Sequence, residues 1–209
     1  MTFIDELLAY NRRWAESKKQ KDPEFFARSA QAQKPVVLWL GCSDARVGPD
    51  KLLGLPMGSI FVHRNIGNLF SPTDLNALAV LEYAIDELRI PNIIVCGHYR
   101  CGGVAAALSH RGVAPIDLWI DQIRLVYQRH AEELERLDEE ARLMRLAELN
   151  VEAQVANICR NTIVREAWRR GQAVHVIGMI YDLRTGLLKP LGIEFDSAEA
   201  FERYASQTA

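Results

Sequence analysis

A cysteine, an aspartate and an arginine stand at alternate positions in 38-LWLGCSDARVGP-49: Cys42, Asp44 and Arg46. A thiolate can hold a soft metal or act as a nucleophile, a carboxylate can ligate or accept a proton, and a guanidinium can pair with that carboxylate. A second segment, 91-PNIIVCGHYRCGG-103, carries His98 and Cys101 in H-x-x-C spacing, so one turn can supply two ligands. Two thiolates and one imidazole make a natural zinc set. Gly102 and Gly103 permit close backbone approach there. The helix they open points N–H groups and the positive end of its dipole at the Cys101 sulfur, favouring thiolate. Cys96 ends an apolar strand and Cys159 sits in helical context, and both are expected in the core. A cysteine nucleophile activated by His98 is the competing chemistry, and it leaves Cys101 without a task.

These side chains meet only if the fold brings two segments together. The apolar run 36-VVLWL-40 has strand length and no alternation, as in a strand buried on both faces. Further strands are expected at 59-SIFVH-63, 92-NIIVC-96 and 173-AVHVIGMIY-181. A fifth, 187-LLKPLGIEF-195, contains Pro190 and is expected at a sheet edge. Helices are expected from Phe3 to about Lys19, from a cap at Thr73 or Asp74 to about Leu88, over 104–110, and over most of 116–170 with one or two breaks before Gly171. A short helix closes the chain. Strands alternating with helices predict an α/β fold, with a mainly parallel sheet of four strands, an antiparallel edge strand and flanking helices. The whole of 1–209 reads as a single domain. Ligands in such sheets bind beyond the carboxyl ends of the strands. If the first and third strands are neighbours, Cys42, His98 and Cys101 share one crevice.

The bulk properties set limits. The chain has 209 residues, 49% apolar and 25% charged, enough for a soluble globular core. A formal charge of -2 gives no overall attraction to nucleic acid or to an anionic membrane, and neither is expected as a partner. The first residues, MTFIDELLAYNRRWAESKKQ, lack the apolar stretch of a signal peptide, and no run is long enough to span a bilayer. A cytoplasmic location is therefore expected, in which the four cysteines serve as ligands or core residues rather than disulfides. The acidic stretch 132-EELERLDEEAR-142 reads as a solvated helix surface.

CSDAR at 42–46, HRN at 63–65 and GHYRCGG at 97–103, in that order, resemble the signature of the β-class carbonic anhydrases. The resemblance covers most of the chain. It implies a zinc enzyme built on a homodimer, or a dimer of dimers, with the N-terminal helix embracing the partner subunit. By this resemblance Cys42, His98 and Cys101 are zinc ligands, Asp44 and Arg46 are the dyad beside the metal, and Gly102 lends backbone to the substrate site. The implied reaction is reversible hydration of carbon dioxide to bicarbonate by zinc-bound hydroxide. Asp44 then has two places. Paired with Arg46, it leaves a position open for water; placed on zinc, it completes four protein ligands and closes the site. Activity is expected to rise on the alkaline side of neutrality.

Some members of that family bind bicarbonate in a second, noncatalytic pocket that favours the closed site. The matching positions here are Trp39, Arg64 and Tyr181. A guanidinium can grip a planar anion through two parallel hydrogen bonds, and the aromatic residues each add a donor and an apolar wall. Each also has a plainer role: Trp39 in the core, Tyr181 at a strand end, Arg64 paired with a carboxylate. The chain departs from the common pattern at Ala45, at Gly67, and at Tyr99 and Arg100 inside the second motif. His63, His110, His130 and His175 are expected to be structural or solvent-exposed. The alternatives kept beside the main reading are a zinc hydrolase of carbonyl sulfide or carbon disulfide, and a non-enzymatic bicarbonate sensor whose metal is permanently closed by Asp44.

Overall fold

The computed structural model describes residues 1–109 and 112–208, so His110 lies outside the described residues. Two compact units are present, Met1–Lys34 and Pro35–Ala209. The first holds α1 (Phe3–Lys21) and α2 (Phe25–Ser29). Thr2 and Asp5 form a reciprocal capping box at the start of α1, and Lys18, Lys19 and Lys21 complement the dipole at its end. Trp14 packs edge-on against Phe25 and Phe26.

The second unit is built on a five-stranded sheet in the order β2-β1-β3-β4-β5. The strands are β1 (Val37–Cys42), β2 (Ile60–Asn65), β3 (Asn92–His98), β4 (His175–Asp182) and β5 (Leu187–Phe195). The first four pair in parallel and β5 runs antiparallel to β4. The fold class is therefore the one expected, and β5 with Pro190 is an edge strand. β1 and β3 are direct neighbours.

All four parallel strands end later than their apolar stretches, and two of these extensions bear on the cluster. β1 continues through Gly41 to Cys42, and β3 through Gly97 to His98. The extended ladder needs backbone partners, not apolar side chains. Cys42 and His98 thus end their strands rather than follow them.

Alternate residues divide the sheet into two faces. Leu38, Leu40, Cys42, Val95 and Ile180 belong to the main core, shared with the helices α4 (Leu75–Glu82), α5 (Gly102–Ser109), α6 (Pro115–Arg129), α8 (Glu139–Arg160) and α9 (Thr162–Arg169). The short α7 (Ala131–Leu134) lies between α6 and α8. Val37, Trp39, Ile94 and Cys96 form a smaller cluster on the other face, against Leu52 and Leu53 of α3 (Pro49–Leu53). Asp74 caps α4, which passes into a π-helical turn at Tyr83–Glu87. Gly171 adopts positive φ just after α9. The α10 helix (Ala198–Thr208) ends the described chain.

The 116–170 stretch has more breaks than expected, because His130, residues 135–138 and Asn161 each leave helical geometry. The acidic 132–142 stretch is consequently split between α7 and the start of α8. Its Glu133 pairs with Arg145 at 2.6 Å. Cys96 and Cys159 are fully buried, and burial pushes both thiols up, Cys159 to about 12.

Candidate metal centre

Three donors meet at the carboxyl ends of β1 and β3. The ligand-capable atoms of Cys42, His98 and Cys101 all lie within 4.8 Å of one another, and all three residues are buried. The two sulfurs are 3.8 Å apart. Two thiolates on a tetrahedral zinc, each at about 2.3 Å, would stand about 3.8 Å from each other. His98 Nδ1 faces the Tyr99 carbonyl at 3.0 Å, while the buried Nε2 has no hydrogen-bond partner among the described residues. A buried polar atom without a partner is costly, and a cation at this point satisfies it. The donor set fits zinc.

The electrostatics agree. Cys42 is pulled below its ordinary range, first by the hydrogen bond to Cys101, then by His98 and the amides of Gly67 and Asp44, against burial. Cys101 is pushed up by the same shared bond and by burial, while the amides of Val104 and Gly103 at the start of α5 pull the other way. A dication bound between the two sulfurs would displace the proton between them and hold both as thiolates. Arg100, between His98 and Cys101 in the H-x-x-C turn, has φ +60° and reverses the chain there.

Asp44 faces this cluster without belonging to it. Its Oδ1 accepts from Arg46 Nε at 2.9 Å and from the Arg46 amide at 3.0 Å, and its Oδ2 accepts from Arg46 Nη2 at 2.7 Å. The fork-on-carboxylate geometry is bidentate. It holds the Asp44 carboxyl well below the usual range. Asp44 Oδ2 is nonetheless only 3.8 Å from His98 Nε2.

The three residues singled out for a second anion pocket are placed on one sheet face, and no hydrogen bond links them among the described residues. Trp39 is fully buried and its indole Nε1 has no partner among the described residues. The indole lies over Gly41, where a Cβ would stand 2.2 Å from Nε1. Tyr181 packs against the same apolar cluster. Arg64, opposite Gly41 in register, turns its guanidinium to the backbone instead of a carboxylate. Its Nε donates to the Cys42 carbonyl and its Nη2 to the Asp44 carbonyl, both at 2.7 Å. Gly102 lines a cleft of about 680 Å³ with Cys101, Arg100 and Met144. His63 is buried, and His130 and His175 are part-exposed beside Glu133 and Glu194.

Sequence reasoning passed over a set of polar residues behind the cluster. Asn150, Gln154 and Asn157 recur at helical spacing on α8 amid apolar neighbours, and that interruption was their signal.

An α/β sheet with a Cys–His–Cys cluster at its strand ends defines a metalloenzyme of zinc type. A sequence model of the carbonic anhydrase family matches residues 37–188. A carbonic anhydrase of Emericella nidulans is 40% identical over 192 residues, covering 91% of this chain and 84% of the relative. One from Candida albicans is 36% identical, over 94% of this chain and 70% of the relative. The structure of the Coccomyxa β-carbonic anhydrase in complex with acetazolamide superposes with a TM-score of 0.93 at 38% identity, covering 100% of this chain and 98% of that one. One of two tetrameric β-carbonic anhydrases of Sordaria macrospora gives 0.87 at 42% identity, covering 92% and 98%. The chain belongs to the β-class carbonic anhydrases. It is a carbonic anhydrase whose cofactor is zinc. No helix among the described residues is long and apolar enough to cross a membrane.

Proposed function

We propose that Cys42, His98 and Cys101 hold the zinc for carbon dioxide hydration, and that Asp44 and Arg46 gate it. The observation that carries the gate is the position of Asp44: bound through both oxygens to Arg46, yet with Oδ2 3.8 Å from the unpartnered His98 Nε2. Zinc at this site supplies Lewis acidity that makes water nucleophilic near neutral pH. Held by Arg46, the Asp44 carboxylate accepts a hydrogen bond from the attacking oxygen and turns its lone pair toward the carbon of carbon dioxide. A C–O bond forms, one C=O electron pair moves to oxygen, and the proton leaves to buffer. Gly102 exposes backbone at the mouth of the site, where a small linear substrate needs no bulky contact.

Released from Arg46, Asp44 would add a fourth protein donor to Cys42, His98 and Cys101 and would leave no position for water. Rising pH favours the Arg46-paired state, because hydroxide competes with the carboxylate. Trp39, Arg64 and Tyr181 form the noncatalytic bicarbonate pocket of this proposal. Arg64 must leave the Cys42 and Asp44 carbonyls to reach the anion, which frees the very turn that carries Asp44. Bicarbonate thereby favours the closed site. Residues 1–209 act as one domain in this reading, in a cytoplasmic homodimer or dimer of dimers. The exposed apolar residues of α1, among them Phe3, Leu7 and Leu8, clasp the second subunit.

Stopped-flow carbon dioxide hydration on zinc-quantified protein tests the gate. Activity should switch on steeply from mildly acidic to alkaline pH. A flat profile counts against the gate, and no hydration by fully loaded protein counts against the reaction. Trp39→Ala should weaken bicarbonate inhibition and leave zinc content intact. Unchanged inhibition would remove the pocket.

A further inference from the structure

The zinc ligand Cys42 is supported from behind by a ladder of buried amides on α8. Asn150 Nδ2 donates to the Gly67 carbonyl at 2.8 Å. Gln154 Nε2 donates to Asn150 Oδ1 at 3.0 Å, and Gln154 Oε1 accepts from the Phe70 amide at 2.9 Å. Asn157 Nδ2 donates to the Phe70 carbonyl at 3.1 Å. Asn150 and Gln154 are almost wholly buried. From the other side, the Asn65 side chain brackets Leu69, accepting from its amide and donating to its carbonyl, both at 2.7 Å.

Residues 67–70 are therefore fixed at both ends by side chains, in a stretch with no helix or strand to hold it. The stretch matters because of where Gly67 points. Asn65, two residues before it, is the register partner of Cys42, which brings the Gly67 backbone alongside the Cys42 end of β1. That backbone also supports the other thiol: a Cβ on Gly103 would stand 3.4 Å from the Gly67 nitrogen, so α5, whose first amides face Cys101, rests on this same residue. Gly67 has φ +79° and faces Ile123, where a Cβ would come within 3.0 Å, so neither another residue type nor a small shift is accommodated freely.

We infer that Asn150, with Gln154 behind it, is a positioning residue for the metal centre: it fixes the Gly67 peptide so that its N–H meets the Cys42 thiolate and its backbone seats the start of α5. Asn150 touches no ligand atom. It acts as outer partners of metal ligands do, by orienting the donors that ligands need. The inference rests on Cys42 and Cys101 being zinc ligands.

The test compares Asn150→Leu, which keeps the branched shape and removes the donor, with Ile158→Ala, which hollows the buried side of the same helix and removes no hydrogen-bonding group. Zinc affinity is read by competition with a chromophoric chelator, and the thiolate-to-metal absorption is read after cobalt substitution. Asn150→Leu should bind zinc about 10- to 100-fold more weakly, with an altered cobalt spectrum. Ile158→Ala should lose stability with zinc affinity and spectrum unchanged. A folded Asn150→Leu with wild-type affinity and spectrum overturns the inference, as does equal loss of affinity in both variants. If Asn150→Leu does not fold, hydrogen exchange in the zinc-loaded wild type decides: a protected Gly67 amide supports the inference and a freely exchanging one overturns it. Wild-type protein that takes up no zinc instead removes the metal assignment beneath it, a result distinct from any of these.

Discussion

The His98 imidazole is held through Nδ1 by the carbonyl of its own neighbour, Tyr99, which sets the tautomer with a lone pair on the inward-facing Nε2. Tyr99 is held in turn, because its hydroxyl donates to Glu148 at 2.5 Å and its amide donates to the Tyr181 carbonyl at 3.0 Å. Tyr99 thus serves the site through its main chain, although its side chain drew notice as a departure from the family pattern. His63 illustrates the opposite case, a histidine whose burial opposes charge. Burial lowers its affinity for a proton, and the charge of Asp74 offsets this only in part. The unfolded chain takes up that proton near the ordinary value of about 6.5. Between the lowered folded value and the ordinary one, the unfolded state binds more protons, so stability is full above that window and declines as pH falls through it. His63→Leu should remove this slope. Urea midpoints of wild type and variant, measured from about pH 8 down to about pH 5, should draw together or cross as the wild type weakens. Parallel curves would exclude the effect, since protonation of the ligand cysteines is common to both proteins.

At the scale of elements, α8 can lie close to the sheet because two strand positions lack side chains. A Cβ on Gly97 of β3 would stand 2.6 Å from Val151 Cγ2 and 3.1 Å from Ile180 Cδ1. On β4, a Cβ on Gly178 would stand 3.3 Å from Val151 Cγ1 of α8, and 2.5 Å from Ile193 Cδ1 of β5. Gly97→Ala should therefore destabilise the protein by about 1–3 kcal/mol, the usual cost of overpacking a filled core, and should also weaken zinc binding because His98 is the next residue. Chemical denaturation with and without a chelator separates the two effects, and a neutral substitution would show that α8 has room to move. Much of this architecture was legible beforehand. The apolar runs marked all five strands, and the bounds of β5 agree because its apolar pattern ends where its ladder does. The ends of β1 and β3 were not legible, since Gly41, Cys42, Gly97 and His98 carry no apolar signal while their backbones continue the ladder. The short α3 was missed although Pro49 at its start and left-handed Gly54 at its end announce it. For the centre, motif spacing named the residues, but only the adjacency of β1 and β3 brings them together. No local pattern could tell that Arg64 spends its guanidinium on two carbonyls.

For the whole molecule, the unpartnered surfaces carry the expectation. None of the residues of α1 is buried, and Phe3, Ile4, Leu7 and Leu8 are about half to three-quarters exposed. An apolar row of this kind on a capped, well-formed helix needs a covering surface. Leu7→Glu combined with Leu8→Glu should shift the protein toward monomer in sedimentation velocity, with the fold of residues 35–209 retained by circular dichroism. An unchanged sedimentation coefficient would show that α1 does not hold subunits together. The sheet also ends in two open strands, and β2, with Val62 exposed, is one of them.

That edge is where Arg64 begins. One side chain rooted in the outermost strand holds the carbonyls of both Cys42 and Asp44. A contact along β2 thus has a mechanical route to the metal turn, and thermodynamic linkage makes the route run both ways. Whatever factor a β2 contact applies to zinc affinity, zinc must return to the affinity of that contact. Metal content would then belong among the variables that set subunit association, to be fixed alongside protein concentration whenever the assembly is weighed.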